Sequence, residues 1–272
     1  MQYIKVTFVI AGQEVSDILI ALLADAGYDG FEESGNKLLA YVEQPKFNGK
    51  ELNTIAGIAR TAYETEIVPA QNWNALWESN FAPVVVDNFC TIRAHFHDIK
   101  IATPYEILIT PKMSFGTGHH ATTQLMMLLM KGTNFEGKSV LDFGTGTGVL
   151  AILADKLGAA KIIAIDNDEW CVENAIENVE RNNCKKIIVK KGSMEDSDAG
   201  STDIILANIN RNILLQYIHL LYERLSAGGI IIMSGLLTDD KDAIMGAAVS
   251  AGFTYNAMLE QLNWIALTFI KI

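Results

Sequence analysis

The stretch Ser139-Val-Leu-Asp-Phe-Gly-Thr-Gly-Thr-Gly-Val-Leu150 joins an apolar segment that ends in an acid to three glycines spaced two apart. A second apolar segment, Lys161-Ile-Ile-Ala-Ile-Asp166, ends in another acid 22 residues after Gly144. A strand, a glycine turn and a helix N-terminus let the backbone approach a ligand closely, and an acid ending the next strand is placed for ribose hydroxyls. The two segments therefore predict a nucleotide-type pocket in a parallel sheet.

The spacing of the glycines indicates which ligand suits this pocket. A dinucleotide fingerprint has the form G-x-G-x-x-G/A. Here the glycines are Gly144, Gly146 and Gly148, and Val149 stands where the third small residue belongs. Asp142 adds a carboxylate beside the turn, which would repel a pyrophosphate and attract an ammonium or a sulfonium. The pattern favours S-adenosylmethionine, a cationic ligand without phosphate, over NAD.

Length and composition limit the class of protein. A chain of 272 residues with 50% hydrophobic content is long enough for one large domain or two with a buried core. No basic segment precedes an apolar one at the start, and no apolar run approaches the roughly 20 residues of a membrane helix. We therefore expect a cytoplasmic protein without a membrane partner. Cys90, Cys171 and Cys184 lack metal-ligand spacing, which predicts buried reduced thiols and no metal site.

The charge of the chain bears on its partners. A formal net charge of −11 argues against direct nucleic-acid binding, because phosphates are neutralised by clustered Lys and Arg. Residues 1–88 hold 12 Asp and Glu against 5 Lys and Arg, so this segment supplies −7 of the −11. A basic protein partner is compatible with that acidity, although an acidic surface also simply keeps a protein in solution.

The first 68 residues predict a small α+β domain. Helix patterns cover residues 15–26 and 52–62, and strand patterns cover 3–10, 30–33, 37–42 and 63–68. Ser34-Gly35-Asn36, between the second and third strand patterns, is typical of a hairpin turn. The order βαββαβ is that of a ferredoxin-like fold.

The rest of the chain predicts a linker and a larger domain. In residues 69–88, Trp73, Trp77 and Phe81 recur every four residues, so a short helix would present all three rings on one face. From residue 89, short strands alternate with helix patterns, which is typical of a doubly wound, mostly parallel sheet. Strands are predicted at 139–142, 161–166, 187–191, 203–208 and 229–235, and two more at 257–262 and 265–271 form an antiparallel edge. The predicted fold class is therefore α/β, with a ferredoxin-like α+β domain at 1–68, a linker at 69–88 and a Rossmann-like domain at 89–272.

A second glycine loop sharpens this interpretation: Pro111-Lys-Met-Ser-Phe115-Gly-Thr-Gly118-His119-His120-Ala-Thr122-Thr123. With Asp142-Phe-Gly-Thr-Gly-Thr-Gly148, Asp166-Asn-Asp168 and Ala207-Asn208-Ile-Asn210, it resembles the PrmA family, the bacterial methyltransferases of large-subunit ribosomal protein eleven. The resemblance covers nearly the whole chain. It implies a class I methyltransferase domain, S-adenosylmethionine as methyl donor, and lysine and N-terminal amino groups of a basic ribosomal protein as acceptors, with substrate recognition by the N-terminal domain.

The expected donor-binding residues come from the resemblance and from the glycine motifs. The resemblance implies Thr123, Gly144, Asp166 and Asn208, and the two motifs add Phe115, Gly116, Asp142 and Gly146. Asn208 is expected to hold either the donor or the acceptor nitrogen, and no residue is expected to act as a catalytic base. His119 and His120 are expected to cap or pack, and Asp168 to cap the helix that follows it.

The segment after the fourth strand of the large domain bears on the acceptor. Many amino-methylating relatives carry Asn/Asp-Pro-Pro-Tyr/Phe there, a loop that grips a planar nitrogen, whereas this chain has Asn208-Ile-Asn-Arg211. The absence of the prolines and the aromatic ring favours an aliphatic amine as acceptor. Three alternatives stay open: a methyltransferase for another acceptor, an NAD-dependent oxidoreductase, and a non-catalytic binding module that keeps the donor for structural reasons.

Overall fold

The computed structural model describes residues 3–68, 81–99, 101–112, 114–195 and 200–272. The chain divides into two compact units, Met1–Asn80 and Phe81–Ile272. The predicted linker helix with Trp73 and Trp77 lies outside the described residues.

The first unit has the predicted order of elements. These are β1 (Tyr3–Val9), α1 (Gln13–Asp25), β2 (Gly30–Ser34), β3 (Lys37–Glu43), α2 (Gly49–Ala59) and β4 (Tyr63–Val68). The strands form an antiparallel sheet in the order β2-β3-β1-β4, which is the ferredoxin-like arrangement.

Residue alternation along β1 explains how this unit forms its core. Ile4, Val6 and Phe8 are buried together with Leu19 of α1 and Leu52 of α2. Because successive side chains of a strand point to opposite faces, the residues between them lie on the sheet face away from that core. The helices therefore cover one face of the sheet.

The second unit begins with a small sheet. It consists of β5 (Val84–Val86), β6 (Cys90–Ala94) and β7 (Tyr105–Ile109), with β5 antiparallel and β7 parallel to β6. Residues 84–88 are predicted to belong to the linker, but Val84–Val86 is a strand here. Three consecutive valines favour a strand, and Val86 is buried against the core of the second unit.

The large sheet has seven strands in the order β10-β9-β8-β11-β12-β14-β13. The elements that build it are α3 (Ala121–Lys131), β8 (Ser139–Phe143), α4 (Val149–Lys156), β9 (Lys161–Asp166), α5 (Glu169–Arg181), β10 (Ile187–Lys191), β11 (Thr202–Asn208), α6 (Arg211–Arg224), β12 (Leu225–Leu237), α7 (Lys241–Ala251), β13 (Phe253–Gln261) and β14 (Trp264–Lys271). The predicted doubly wound, mostly parallel, Rossmann-like fold is confirmed.

The strand order places a crevice between β8 and β11. The chain runs from β8 to β9 and β10 on one side, and then crosses to β11 on the other side of β8. Ligands bind at the carboxyl ends of strands at such a reversal. The antiparallel strand is β14, which lies between β12 and β13, so the edge strand β13 runs parallel to β12. Leu262 and Asn263, both at positive φ, form the tight turn that brings β14 back.

The large sheet is buried on both faces, as its apolar strands predict. In β9, Ile162 and Ala164 pack in one hydrophobic cluster, and Ile163 and Ile165 pack in another. None of the described helices combines the length and the apolar composition that crossing a lipid bilayer requires.

Candidate functional site

The glycine turn after β8 requires glycine for steric reasons. Gly144, Gly146 and Gly148 have φ values of 75°, 56° and 81°. A Cβ atom on Gly146 would lie 2.3 Å from the carbonyl oxygen of Phe115, and one on Gly144 would lie 2.3 Å from Cγ2 of Ile209. The turn is therefore closely packed, and only bare backbone fits there.

A cavity of about 650 Å³ opens above this turn, at the carboxyl ends of the strands next to the β8–β11 crevice. Five of the eight expected donor-binding residues line it: Phe115, Gly144, Gly146, Asp166 and Asn208. The other three, Thr123, Gly116 and Asp142, lie behind its wall.

Asp166 ends β9 and lies in the cavity wall. Its Oδ2 accepts a hydrogen bond from the Gly146 amide at 2.9 Å, and its Oδ1 accepts one from the Asp168 amide at 3.1 Å. A carboxylate has about four acceptor sites, so these two bonds orient Asp166 and leave lone pairs for neighbouring hydroxyl groups of a ligand.

Asp142 lies beneath the turn instead of beside the ligand, which differs from the expected contact with a cation. Its Oδ2 accepts hydrogen bonds from Thr145 Oγ1 at 2.6 Å and from the Ala151 amide at 3.2 Å. Ala151 lies in the first turn of α4, whose N-cap residue, Gly148, has no side chain. Asp142 therefore supplies the missing cap. The pKa of Asp142 is raised from 3.8 to about 7, mainly because the carboxyl group is buried.

The second glycine loop is pinned to the first. Thr147 donates its amide to the Phe115 carbonyl at 2.9 Å and its hydroxyl to the Gly116 carbonyl at 2.7 Å. Gly116 has a φ of 106°, and a Cβ there would lie 2.7 Å from Thr147 Oγ1. Gly116 thus shapes the loop, while the half-exposed ring of Phe115 lines the cavity.

Asn208 and Thr123 meet at the end of β11. Asn208 Nδ2 lies 3.4 Å from Thr123 Oγ1, and Thr123 is buried in α3. The buried Oδ1 of Asn208 has no hydrogen-bond partner within the described part of the protein. A buried acceptor without a donor is costly, so this oxygen is a candidate to accept a hydrogen bond from a ligand. Thr123 does not line the cavity, and its described contact with a cavity residue is the one with Asn208.

An aromatic wall that sequence reasoning missed closes one side of the cavity. The ring centroids of Phe115 and His120 are 5.3 Å apart, and those of His120 and Trp264 are 4.7 Å apart. As expected, His120 caps a helix, since its Nδ1 accepts from the Thr122 amide at the start of α3. Trp264 belongs to β14, so its position in the cavity wall could be predicted only by knowing the order of the strands in the sheet.

The three cysteines differ in their position relative to the cavity. Cys90 and Cys184 are buried and unpaired by disulfide, as expected, whereas Cys171 is half-buried and lines the cavity. Burial raises the pKa of the Cys171 thiol. Within the described ranges, no group of three or more His, Cys, Asp or Glu residues could hold a metal ion.

The cavity fits S-adenosylmethionine better than a dinucleotide. Its described wall holds the carboxylate of Asp166 and no Lys or Arg, so it offers no cationic side chain to a pyrophosphate. The bare backbone at Gly144, the free lone pairs of Asp166 and the unpaired Oδ1 of Asn208 match a ligand with ribose hydroxyls and an ammonium group. The aromatic wall suits a sulfonium.

Comparison with known proteins agrees with this geometry. The family described as ribosomal protein L11 methyltransferase (PrmA) matches residues 28–271. The ribosomal protein L11 methyltransferase of Bacteroides thetaiotaomicron is 42% identical over 283 aligned positions, covering 99% of each chain. That of Porphyromonas gingivalis is 40% identical over 261 positions, covering 93% of this chain and 90% of its own. The crystal structure of ribosomal protein L11 methylase from Lactobacillus delbrueckii subsp. bulgaricus has a TM-score of 0.66 at 31% identity, covering 70% of this chain and 99% of its own.

Proposed function

The chain belongs to the ribosomal protein L11 methyltransferase (PrmA) family, whose methyl donor is S-adenosylmethionine, and we propose that it methylates lysine and N-terminal amino groups of ribosomal protein L11. One structural observation carries the proposal. The cavity at the ends of the parallel strands joins a glycine turn, a ribose-type carboxylate and an aromatic wall, and its described lining holds no Lys or Arg.

The donor half of the site is assigned to three groups. Asp166 accepts the ribose hydroxyls in charge-assisted hydrogen bonds. The turn at Gly144 and Gly146 lets the donor lie against bare backbone. Asn208 Oδ1 accepts from the ammonium of the methionine part, or from the acceptor amine. When bound, the donor supplies a methyl group on a sulfonium, which an amine can attack in line.

The acceptor amine must enter the site without its proton, because only the neutral nitrogen has a lone pair. The ordinary pKa of a lysine amine is about 10.4. Burial between apolar rings disfavours the charged form, and a nearby sulfonium disfavours it further, so the amine's pKa falls in the cavity. Catalysis then rests on orientation and exclusion of water, and no dedicated base is needed.

The aromatic wall has a second consequence. Each transfer leaves a methylated ammonium, and the lowered pKa lets this product lose a proton to solvent while it is still in the cavity. The neutral amine can then turn beside Phe115 and Trp264 and present its lone pair again without leaving the cavity. This supports repeated methylation of one nitrogen.

The open face of the sheet in the first unit is assigned to recognition of a basic protein. One row across the four strands reads Glu32, Leu39, Thr7 and Glu64, and in the adjacent row Glu66 is already paired with Lys5. Glu32 and Glu64 are both exposed. Exposed carboxylates at both edges of this face suit a partner rich in lysine, and they would repel nucleic acid.

The substrate assignment is tested with labelled donor and a mixture of ribosomal proteins from cells that lack this enzyme. Label should appear on L11 and on no other small ribosomal protein. Double replacement Glu32→Gln with Glu64→Gln should raise the KM for L11 and leave the KM for the donor unchanged, with Glu180→Gln on α5 as the control. Label on a different protein, or on none, would reject the proposal.

A further inference from the structure

Helix α5 presents a row of asparagines that donor binding alone does not explain. Asn174 and Asn178 lie within the helix and Asn182 follows its end, so four-residue spacing places them on one face. Asn174 and Asn178 are completely buried. Asparagine is a poor helix former and a costly buried side chain, so each amide needs hydrogen-bond partners, although Asn174 Oδ1 has none among the described residues.

Most of these partners belong to the free edge of strand β7. Asn182 is bidentate on Leu108, accepting from its amide at 3.0 Å and donating to its carbonyl at 2.7 Å. Asn178 accepts from the Thr110 amide at 2.7 Å, and Asn174 donates to the Thr110 carbonyl at 3.0 Å. The helix thus takes the place of a neighbouring strand and attaches the small sheet to the large one.

Asn178 differs from the other two in its second hydrogen bond. Its Nδ2 donates to the carbonyl of Thr147 at 2.8 Å. Thr147 lies between Gly146 and Gly148 in the glycine turn, and it also holds the Phe115 and Gly116 carbonyls. One buried amide therefore connects the end of β7 to the turn that forms the floor of the cavity.

We propose that Asn178 is a positioning residue for donor binding, which fixes the glycine turn through the Thr147 carbonyl. Glycines at positive φ can adopt many conformations, so contacts from outside the turn are needed to hold its backbone in the shape that forms the cavity floor. Asn178 supplies one of these contacts, through the carbonyl of Thr147, whereas Asn182 contacts Leu108 of the small sheet and does not contact the turn. The inference rests on the proposed function, because it takes the donor as the ligand of the turn.

The test compares two isosteric variants of the full-length protein, Asn178→Asp and Asn182→Asp. Each keeps the acceptor oxygen and replaces the amide NH2 by oxygen, which then faces a carbonyl. We expect Asn178→Asp to weaken binding of S-adenosylmethionine by about tenfold in calorimetry and to raise its KM more than it lowers kcat. Asn182→Asp should lower the thermal midpoint comparably and change the donor Kd by less than about twofold.

Equal effects of the two variants on the donor Kd, or none from Asn178→Asp, would overturn the proposal. A measurement on the wild-type protein decides the matter if Asn178→Asp does not fold. The side-chain amide signals of Asn178 should shift in NMR spectra when donor is added, and those of Asn182 should not. Wild-type protein that binds donor but transfers no methyl to L11 would contradict the proposed function and leave this comparison intact.

Discussion

The buried carboxyl of Asp142 should make the protein less stable as pH rises, and the variant Asp142→Asn should remove that dependence. Asp142 accepts hydrogen bonds from Thr145 Oγ1 and the Ala151 amide through one oxygen. An asparagine amide oxygen can accept both, so the cap on α4 is kept. The variant therefore removes the titrating proton with little change of shape.

The magnitude follows from the pKa of Asp142, which burial raises from 3.8 to about 7. Below pH 3.8 the carboxyl is protonated in both folded and unfolded protein. Between these two values only the unfolded chain loses the proton, so the free energy of unfolding falls as pH rises. Above about pH 7 the full penalty is present, on the order of 4 kcal/mol.

The assay is urea unfolding at about pH 5 and about pH 8 for wild type and Asp142→Asn. The difference in unfolding free energy between variant and wild type should increase by about 3 kcal/mol from the lower to the higher pH. The new buried NH2 group lowers the variant's stability by about 1–3 kcal/mol at both pH values, so it does not alter that increase. A difference that stays constant with pH would refute the reasoning.

Three further predictions concern the glycine turn, an ion pair and the ligand. Gly146→Ala should abolish donor binding in calorimetry, because its Cβ would meet the Phe115 carbonyl at 2.3 Å. Gly137→Ala, which also has positive φ but meets nothing within 4 Å, should cost only about 1–2 kcal/mol of stability and bind donor normally. Hydrogen bonds lower the pKa of Glu177 to about 2, chiefly the one from Lys112 and then those from Thr110 and Arg181, so these contacts stabilise the protein above the ordinary pKa of 4.5 and are lost as pH falls towards 2. Lys112→Met should therefore shift the midpoint of acid unfolding to higher pH. The loss in unfolding free energy should be less than about 1 kcal/mol, because the pair is partly exposed. An unchanged midpoint would count against the bond. Calorimetry should show binding of S-adenosylmethionine and none of NAD, and the reverse result would favour an oxidoreductase.

Much of the fold follows from the sequence because buried parallel strands are continuous apolar runs. Lys161–Asp166 and Ile187–Lys191 are strands over the predicted residues. The order in which the strands pair cannot be predicted in this way, because it depends on contacts between residues far apart in the chain. The insertion of β14 between β12 and β13 could not be read from the apolar pattern of Trp264–Lys271, which would look the same at the edge.

Some residues of the candidate site could likewise be predicted from the sequence, and others could not. Gly144 and Asp166 were predictable because a turn and a strand end fix where backbone and carboxylate lie. The direction of the Asp142 side chain was not, because it depends on α4 lacking a capping side chain at Gly148. Trp264 reaches the cavity only through the strand order, so local sequence holds no signal for its role.

The mass of ribosomal protein L11 after incubation with S-adenosylmethionine tests the central claim most directly. Wild-type enzyme and the control Glu180→Gln should increase that mass by whole methyl groups. Asp166→Ala, which removes the carboxylate proposed to hold the ribose, should leave the mass unchanged at the same donor concentration. An unmodified L11 with wild-type enzyme, or full methylation by Asp166→Ala, would contradict the account.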